Sequence, residues 1–110
     1  MARALRRNNW FSSIEASFPG GNKALIEFFN SQLQYPEFAI EMDVEGSVFV
    51  RFSIQKDGSV TQIKVINGVN ETFDKEAKRV IRRMPKWIPA EENGRKVESE
   101  YTIPIAFEIN

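Results

Sequence analysis

The sequence predicts an α+β fold: a three-stranded antiparallel sheet in the order second–first–third, with helices packed on one face. Three observations carry this expectation. Two runs, near 46–55 and 96–108, alternate apolar and polar residues with the period of a half-buried strand. Lys56-Asp57-Gly58 closes the first run with a hairpin signal, so that 59–66 returns beside it. Beyond the return strand, Phe73, Ala77, Val80, Ile81 and Met84 recur at the spacing of an amphipathic helix. If every pair is antiparallel, the last run must lie on the free side of the first, with the helix crossing one face.

Each element has a local cause. Residues 1–17 carry Arg3, Arg6 and Arg7 without sustained periodicity, and read as a flexible or loosely docked arm or a linker remnant. Residues 18–110 then read as one domain. Phe18-Pro19-Gly20-Gly21 breaks the chain, because proline fixes φ and glycine frees it. Asn22 is the expected N-cap of a helix running to about Gln34, with Leu25, Phe28, Phe29 and Leu33 as its apolar stripe. Tyr35-Pro36 stops that helix, and Pro36 opens a short second one with Phe38, Ala39 and Met42 on its inner side, ending near Asp43–Glu45.

In the first strand Val48, Val50, Phe52 and Ile54 point inward, while Ser47, Arg51, Ser53 and Gln55 point outward, together with the exceptional Phe49. The return strand is out of phase: Val60 suits one face, and Ile63 and Val65 the other. A bulge near Thr61–Gln62 would reconcile them. Thr72 is the expected N-cap of the long helix, with Asp74 and Glu76 near its positive end, and Pro85 ends it. Lys86 to Lys96 reads as a loop. The last strand turns Val97, Tyr101, Ile103, Ile105, Phe107 and Ile109 inward, with Pro104 inside it. Proline has no amide to give a neighbour, so this should be an edge strand.

Composition removes whole classes of chemistry. The chain has 110 residues, 42% of them hydrophobic and 27% charged, as expected of one globular domain. It has no His and no Cys, which excludes His-dependent acid–base and nucleophile systems and His/Cys zinc sites. Fifteen basic residues balance fifteen acidic ones, so a global nucleic-acid footprint is missing. No apolar run reaches the ~20 residues of a membrane helix, and the basic start has no apolar stretch of a signal peptide behind it. Neither an enzyme nor a cofactor is expected.

The ordered series of motifs resembles the C-terminal domain of the TonB energy-coupling proteins. It comprises Gln34-Tyr35-Pro36, Glu45-Gly46 followed by alternating Val48, Val50, Phe52 and Ile54, Lys56-Asp57-Gly58 with Val60, Phe73-Asp74 with Ala77, Met84-Pro85 with Trp87 and Pro89-Ala90, and Tyr101, Ile103-Pro104-Ile105 and Phe107. The resemblance covers roughly residues 18–109. Phe18-Pro19-Gly20-Gly21 and the Ile-Pro-Ile ending resemble the branch found in Bacteroidetes-type bacteria. It implies a periplasmic domain hung from the inner membrane by a helix and a Pro-rich linker, which this chain lacks, and held there with ExbB and ExbD. It implies binding of the TonB box, an extended peptide of outer-membrane transporters, by strand addition. The family's contact regions map onto Gln34, Tyr35 and Pro36, and onto Glu100, Tyr101, Thr102, Ile103, Pro104, Ile105, Ala106 and Phe107.

Each of these features also has a plain structural reading. Any open sheet has edges, and Pro104 with Glu98, Glu100 and Glu108 could simply protect this one. Tyr35-Pro36 is ordinary helix punctuation. Lys75, Lys78, Arg79, Arg82 and Arg83 could serve an anionic ligand, which is the rival nucleic-acid reading, but fit a solvated helix face. Trp87 reads as a cap on the core. Two further alternatives are an interaction or signalling domain of another envelope protein, and a homodimer formed through the edge strand.

Overall fold

Gly46–Ile54 is extended, as its alternation demands, and forms the central strand of the main sheet. The computed structural model describes residues 13–109. In chain order the elements are β1 (Ser13–Ile14), α1 (Gly21–Gln32), α2 (Glu37–Glu41), β2 (Gly46–Ile54), β3 (Val60–Asn67), α3 (Glu71–Arg82), β4 (Ala90–Glu92), β5 (Arg95–Val97) and β6 (Ser99–Phe107). The main sheet runs β3-β2-β6, all antiparallel, which is the expected second–first–third order. Val48, Val50, Phe52 and Ile54 are fully buried beneath α3, which turns Phe73, Ala77, Val80 and Ile81 toward them. Ile105 and Phe107 of β6 complete that face.

The hairpin follows the sequence closely. Gly58 has φ +91, and a Cβ there would lie 2.1 Å from the Trp87 carbonyl oxygen, so glycine is required twice over. The expected bulge is present: Arg51 pairs with Lys64 and Ser53 with Thr61, leaving two residues opposite Phe52. Gln62 takes φ 54 there, and its Oε1 accepts a hydrogen bond from Ser53 Oγ at 2.7 Å. Ser53 therefore lies on the outer face but is only 2% exposed. A second shift follows between Phe49 and Val50.

Several boundaries differ from expectation. α1 begins after Gly20 rather than Asn22, without a side-chain cap, and ends at Gln32. Its stripe is half-buried, and none of its residues is fully buried. In α2 only Ala39 is buried. Phe38 and Met42 face solvent, and just beyond them Asp43 at φ 59 turns the chain so that the Val44 amide bonds back to the Ala39 carbonyl. α3 is capped by Asn70, not Thr72: its Oδ1 accepts from the Phe73 N–H at 2.8 Å.

The stretch expected as a loop over Lys86–Lys96 contains a second hairpin, β4–β5, turned at Asn93-Gly94 with φ 51 and 81. β1 adds to it in the order β1-β4-β5. Ser17 and Ile88 exchange two backbone hydrogen bonds of 3.0 and 2.8 Å, and Ala16 and Phe18 are buried. Residues 13–17 of the expected arm are thus docked, whereas 1–12 lie outside the described residues. Trp87 is the expected core cap, with its ring 5.7 Å from Phe18, 5.6 Å from Phe52 and 5.7 Å from Tyr101.

Candidate functional site

A strand becomes receptive when one row of its backbone groups is unpaired and the row is straight. The main sheet has two edges, and they differ. β3 is broken by two register shifts. β6 pairs with β2 at nine consecutive positions, Gly46↔Phe107 through Ile54↔Ser99, with none. Among the described residues, no strand pairs with the other side of β6.

Pro104 fixes which amides face that open side. It sits opposite Phe49 in an unbroken ladder and cannot be part of a hydrogen-bonded pair. Positions 100, 102, 104 and 106 therefore turn their backbone groups outward, and 101, 103, 105 and 107 turn theirs to β2. The open row offers the N–H groups of Glu100, Thr102 and Ala106 and four carbonyls, with one donor missing at Pro104. The side chains of Glu100, Thr102, Pro104 and Ala106 are all exposed on the outer face, while Ile105 and Phe107 are buried and Tyr101 and Ile103 half-buried.

The other expected contact region meets this strand at one residue. The Tyr35 ring lies 5.9 Å from Phe107 and 5.6 Å from Phe73, edge-on to both. Its hydroxyl donates to the Val44 carbonyl. Burial first, and then the carboxylates of Glu45 and Asp43, raise its pKa and keep the phenol protonated. Pro36 is the N-cap of α2. Gln34 is exposed, and its amide donates to Glu76 Oε2 at 2.7 Å. Glu76 is gripped in turn by Arg79, at 2.8 Å to each carboxylate oxygen. Burial opposes that charge, but Arg79 and the Gln34 amide outweigh it and hold the carboxyl below its ordinary value. Arg79 also donates to the Gln32 carbonyl at 2.8 Å. The end of α1 is thereby tied to α3, and Tyr35 is held against Phe107.

Sequence reasoning missed the wall opposite β6. α1 stands off from the open edge, leaving adjoining hollows of about 290 and 250 Å³ that share Ile26, Phe29 and Pro104. A further hollow of about 370 Å³ lies between Phe29, Leu33, Tyr35, Ala106 and Glu108. The available signal was Ile26, an apolar residue beside the stripe, which is 59% exposed. Gln34, Tyr35 and Pro36 also line a more polar hollow of about 510 Å³ against Glu71, Thr72 and Lys75 at the start of α3. Among the described residues no group of three or more acidic side chains could hold a metal ion, and no helix is long and apolar enough to cross a membrane.

The chain is similar to known proteins in sequence and in fold. The family described as Gram-negative bacterial TonB protein C-terminal matches residues 31–109. Protein TonB of Yersinia enterocolitica is 35% identical over 78 residues, covering 66% of this chain and 29% of the relative. Protein TonB of Helicobacter pylori is 31% identical over 103 residues, covering 89% of this chain and 35% of the relative. The chain thus spans about a third of the length of the curated relatives it matches. Two solution structures of the Helicobacter pylori TonB C-terminal domain superpose with TM-scores of 0.59 and 0.58 at 28% identity. Each covers 78% of this chain, and they are themselves covered to 78% and 90%.

Proposed function

The chain belongs to the family of Gram-negative bacterial TonB C-terminal domains, and on that premise we propose that it is a periplasmic peptide-binding domain of an energy transducer. It engages the TonB box of outer-membrane transporters by adding that peptide to β6 as a fourth strand, and so links inner-membrane proton motive force to uptake. ExbB and ExbD are met through a membrane-anchored region, not through residues 13–109. The domain itself performs no covalent chemistry.

The observation that carries the reading is β6: nine residues in unbroken register on one side and open on the other among the described residues. Tyr35 against Phe107 supports the joint use of both contact regions. Magnitudes limit the affinity. Ladder bonds contribute ~0.5–1.5 kcal/mol each, and ordering the peptide costs ~1–2 kcal/mol per residue. The expected Kd is on the order of micromolar, about −8 kcal/mol, with side-chain contacts supplying what the ladder does not.

Titration of isotope-labelled protein with a TonB-box peptide tests this. Amides of Glu100–Phe107 and Gln34–Glu37 should shift. Thr102→Pro should abolish most of the binding while leaving the fold intact, because the Thr102 amide faces outward in the same row as Pro104. Shifts confined to Lys75–Arg83 would favour an anionic ligand instead.

A further inference from the structure

We propose that the chain associates head to tail with further copies of itself, the acidic and apolar segment 37–45 of one copy seating on the outer face of the main sheet of the next. The inference goes beyond the reading of β6, whose open edge it does not use.

The fold leaves two patches of large apolar side chains in solvent, and they carry opposite charge. The first lies on and just after α2. Only Ala39 of that helix is buried, while Phe38, Ile40 and Met42 are 43%, 52% and 71% exposed. Among them stand the exposed carboxylates Glu37, Glu41, Asp43 and Glu45. No Lys or Arg occurs between Lys23 and Arg51. Of the α3 cations, Lys75 shares a hollow with Glu37 but is 3.8 Å from Glu71, and Arg79 is held by Glu76.

The second patch is the outer face of the main sheet, opposite the face on which α3 packs. Arg51 stands there directly beside Lys64 on one neighbouring strand and Thr102 on the other. Like charges set opposite each other destabilise a sheet. Among the described residues neither cation has a carboxylate within ion-pairing distance. One row further along β2, Phe49 lies opposite Pro104 and beside the register shift that holds Ile66. Phe49 and Ile66 are 37% and 45% exposed. The acidic residue of this face, Glu100, is opposite Ser53, on the other side of the Arg51 row.

Two cations without a partner beside an exposed aromatic suit a guest that is both anionic and apolar. Segment 37–45 has that chemistry. It presents it on a helix about 7.5 Å long, against a three-stranded face about 10 Å across. The two patches are different surfaces of one chain, so the contact is heterologous and repeats from copy to copy. Few residues take part, which puts the interface at the small end of the range and the Kd on the order of 100 µM.

Sedimentation of the 110-residue chain from ~10 µM to ~1 mM at low salt should give an average mass that climbs past that of a dimer. Salt at ~0.5 M should weaken the association about fivefold. Amides of residues 38–43, 49–51 and 64–66 should shift with concentration. Lys64→Glu and Glu41→Lys, both at exposed positions, should each weaken association about tenfold. An equimolar mixture of the two should recover it, because each variant keeps one patch intact for the other. A chain that stays monomeric at ~1 mM overturns the proposal. So does a mass that stops at the dimer with shifts confined to residues 100–107, which would be pairing of β6 edges. Association lost in Glu41→Lys but kept in Lys64→Glu would seat another cationic segment on α2, such as the one holding Arg3, Arg6 and Arg7, and overturns it too. Sheet-face shifts that appear only with anionic phospholipid vesicles would make a membrane the partner and overturn it as well.

Discussion

Tyr35 has a packing role and, in the function proposed above, a part in recognition, and its environment separates the two. Its ring packs on Phe73 and Phe107 while its hydroxyl holds the Val44 carbonyl. Tyr35→Phe keeps the packing and should cost ~0.5–1.5 kcal/mol in urea melts. Tyr35→Ala should cost about 2–4 kcal/mol, so a loss of peptide binding in that variant would not isolate a contact. The phenylalanine variant is therefore the useful probe. Glu76 gives a pH signature. Its carboxyl is held below the ordinary value of 4.5, so the unfolded chain takes up the proton first. The stability it contributes is complete above about pH 4.5 and is lost as pH falls through the lowered native value. Glu76→Gln should flatten that part of the acid limb, as read from urea midpoints between pH 3 and 6. In the core, Phe52→Ala should cost ~3–5 kcal/mol, since its fully buried ring meets both Trp87 and Tyr101.

At the scale of elements, local signals governed by backbone geometry were legible and those decided by competition were not. The strand face at Val48–Ile54, the turn at Gly58, the bulge at Gln62 and the helix face from Phe73 to Ile81 follow from periodicity and φ preferences. The cap of α3 did not, because Asn70 and Thr72 are both competent and only the fold shows which chain direction lets an oxygen reach the Phe73 amide. Asn70→Ala should lower stability by about 1 kcal/mol, while Thr72→Ala should leave the thermal midpoint almost unchanged. The β4–β5 hairpin was signalled by Asn93-Gly94, a strong turn pair, but its strands are three residues each, too short to show alternation. The edge position of β6 was legible from Pro104. The α1 wall was not, because a stripe of Leu25, Phe28, Phe29 and Leu33 looks the same whether it seals a core or leaves a groove.

Across the described residues, two sheets meet at Trp87 and its neighbours. The Trp87 amide donates to the Gly58 carbonyl at 2.9 Å, and Tyr101 of β6 reaches the Ala16 carbonyl at 3.2 Å. A chain beginning at Phe18 would lose β1, the Ser17–Ile88 exchange and the Tyr101 contact. It should be destabilised by about 2–4 kcal/mol, as measured by urea unfolding against the 110-residue chain. The unequal length of the ladders matters for a different quantity, mechanical load. A pull entering at residue 13 meets a two-residue ladder first, whereas β2 and β6 are joined at nine positions. The short ladder should give way first, freeing residues 13–17, whose full contour is about 17 Å, while the open strand keeps its shape. The fold thus places a weak link in series with a strong one, so that the first displacement under tension is spent in residues 13–17 and not in β6.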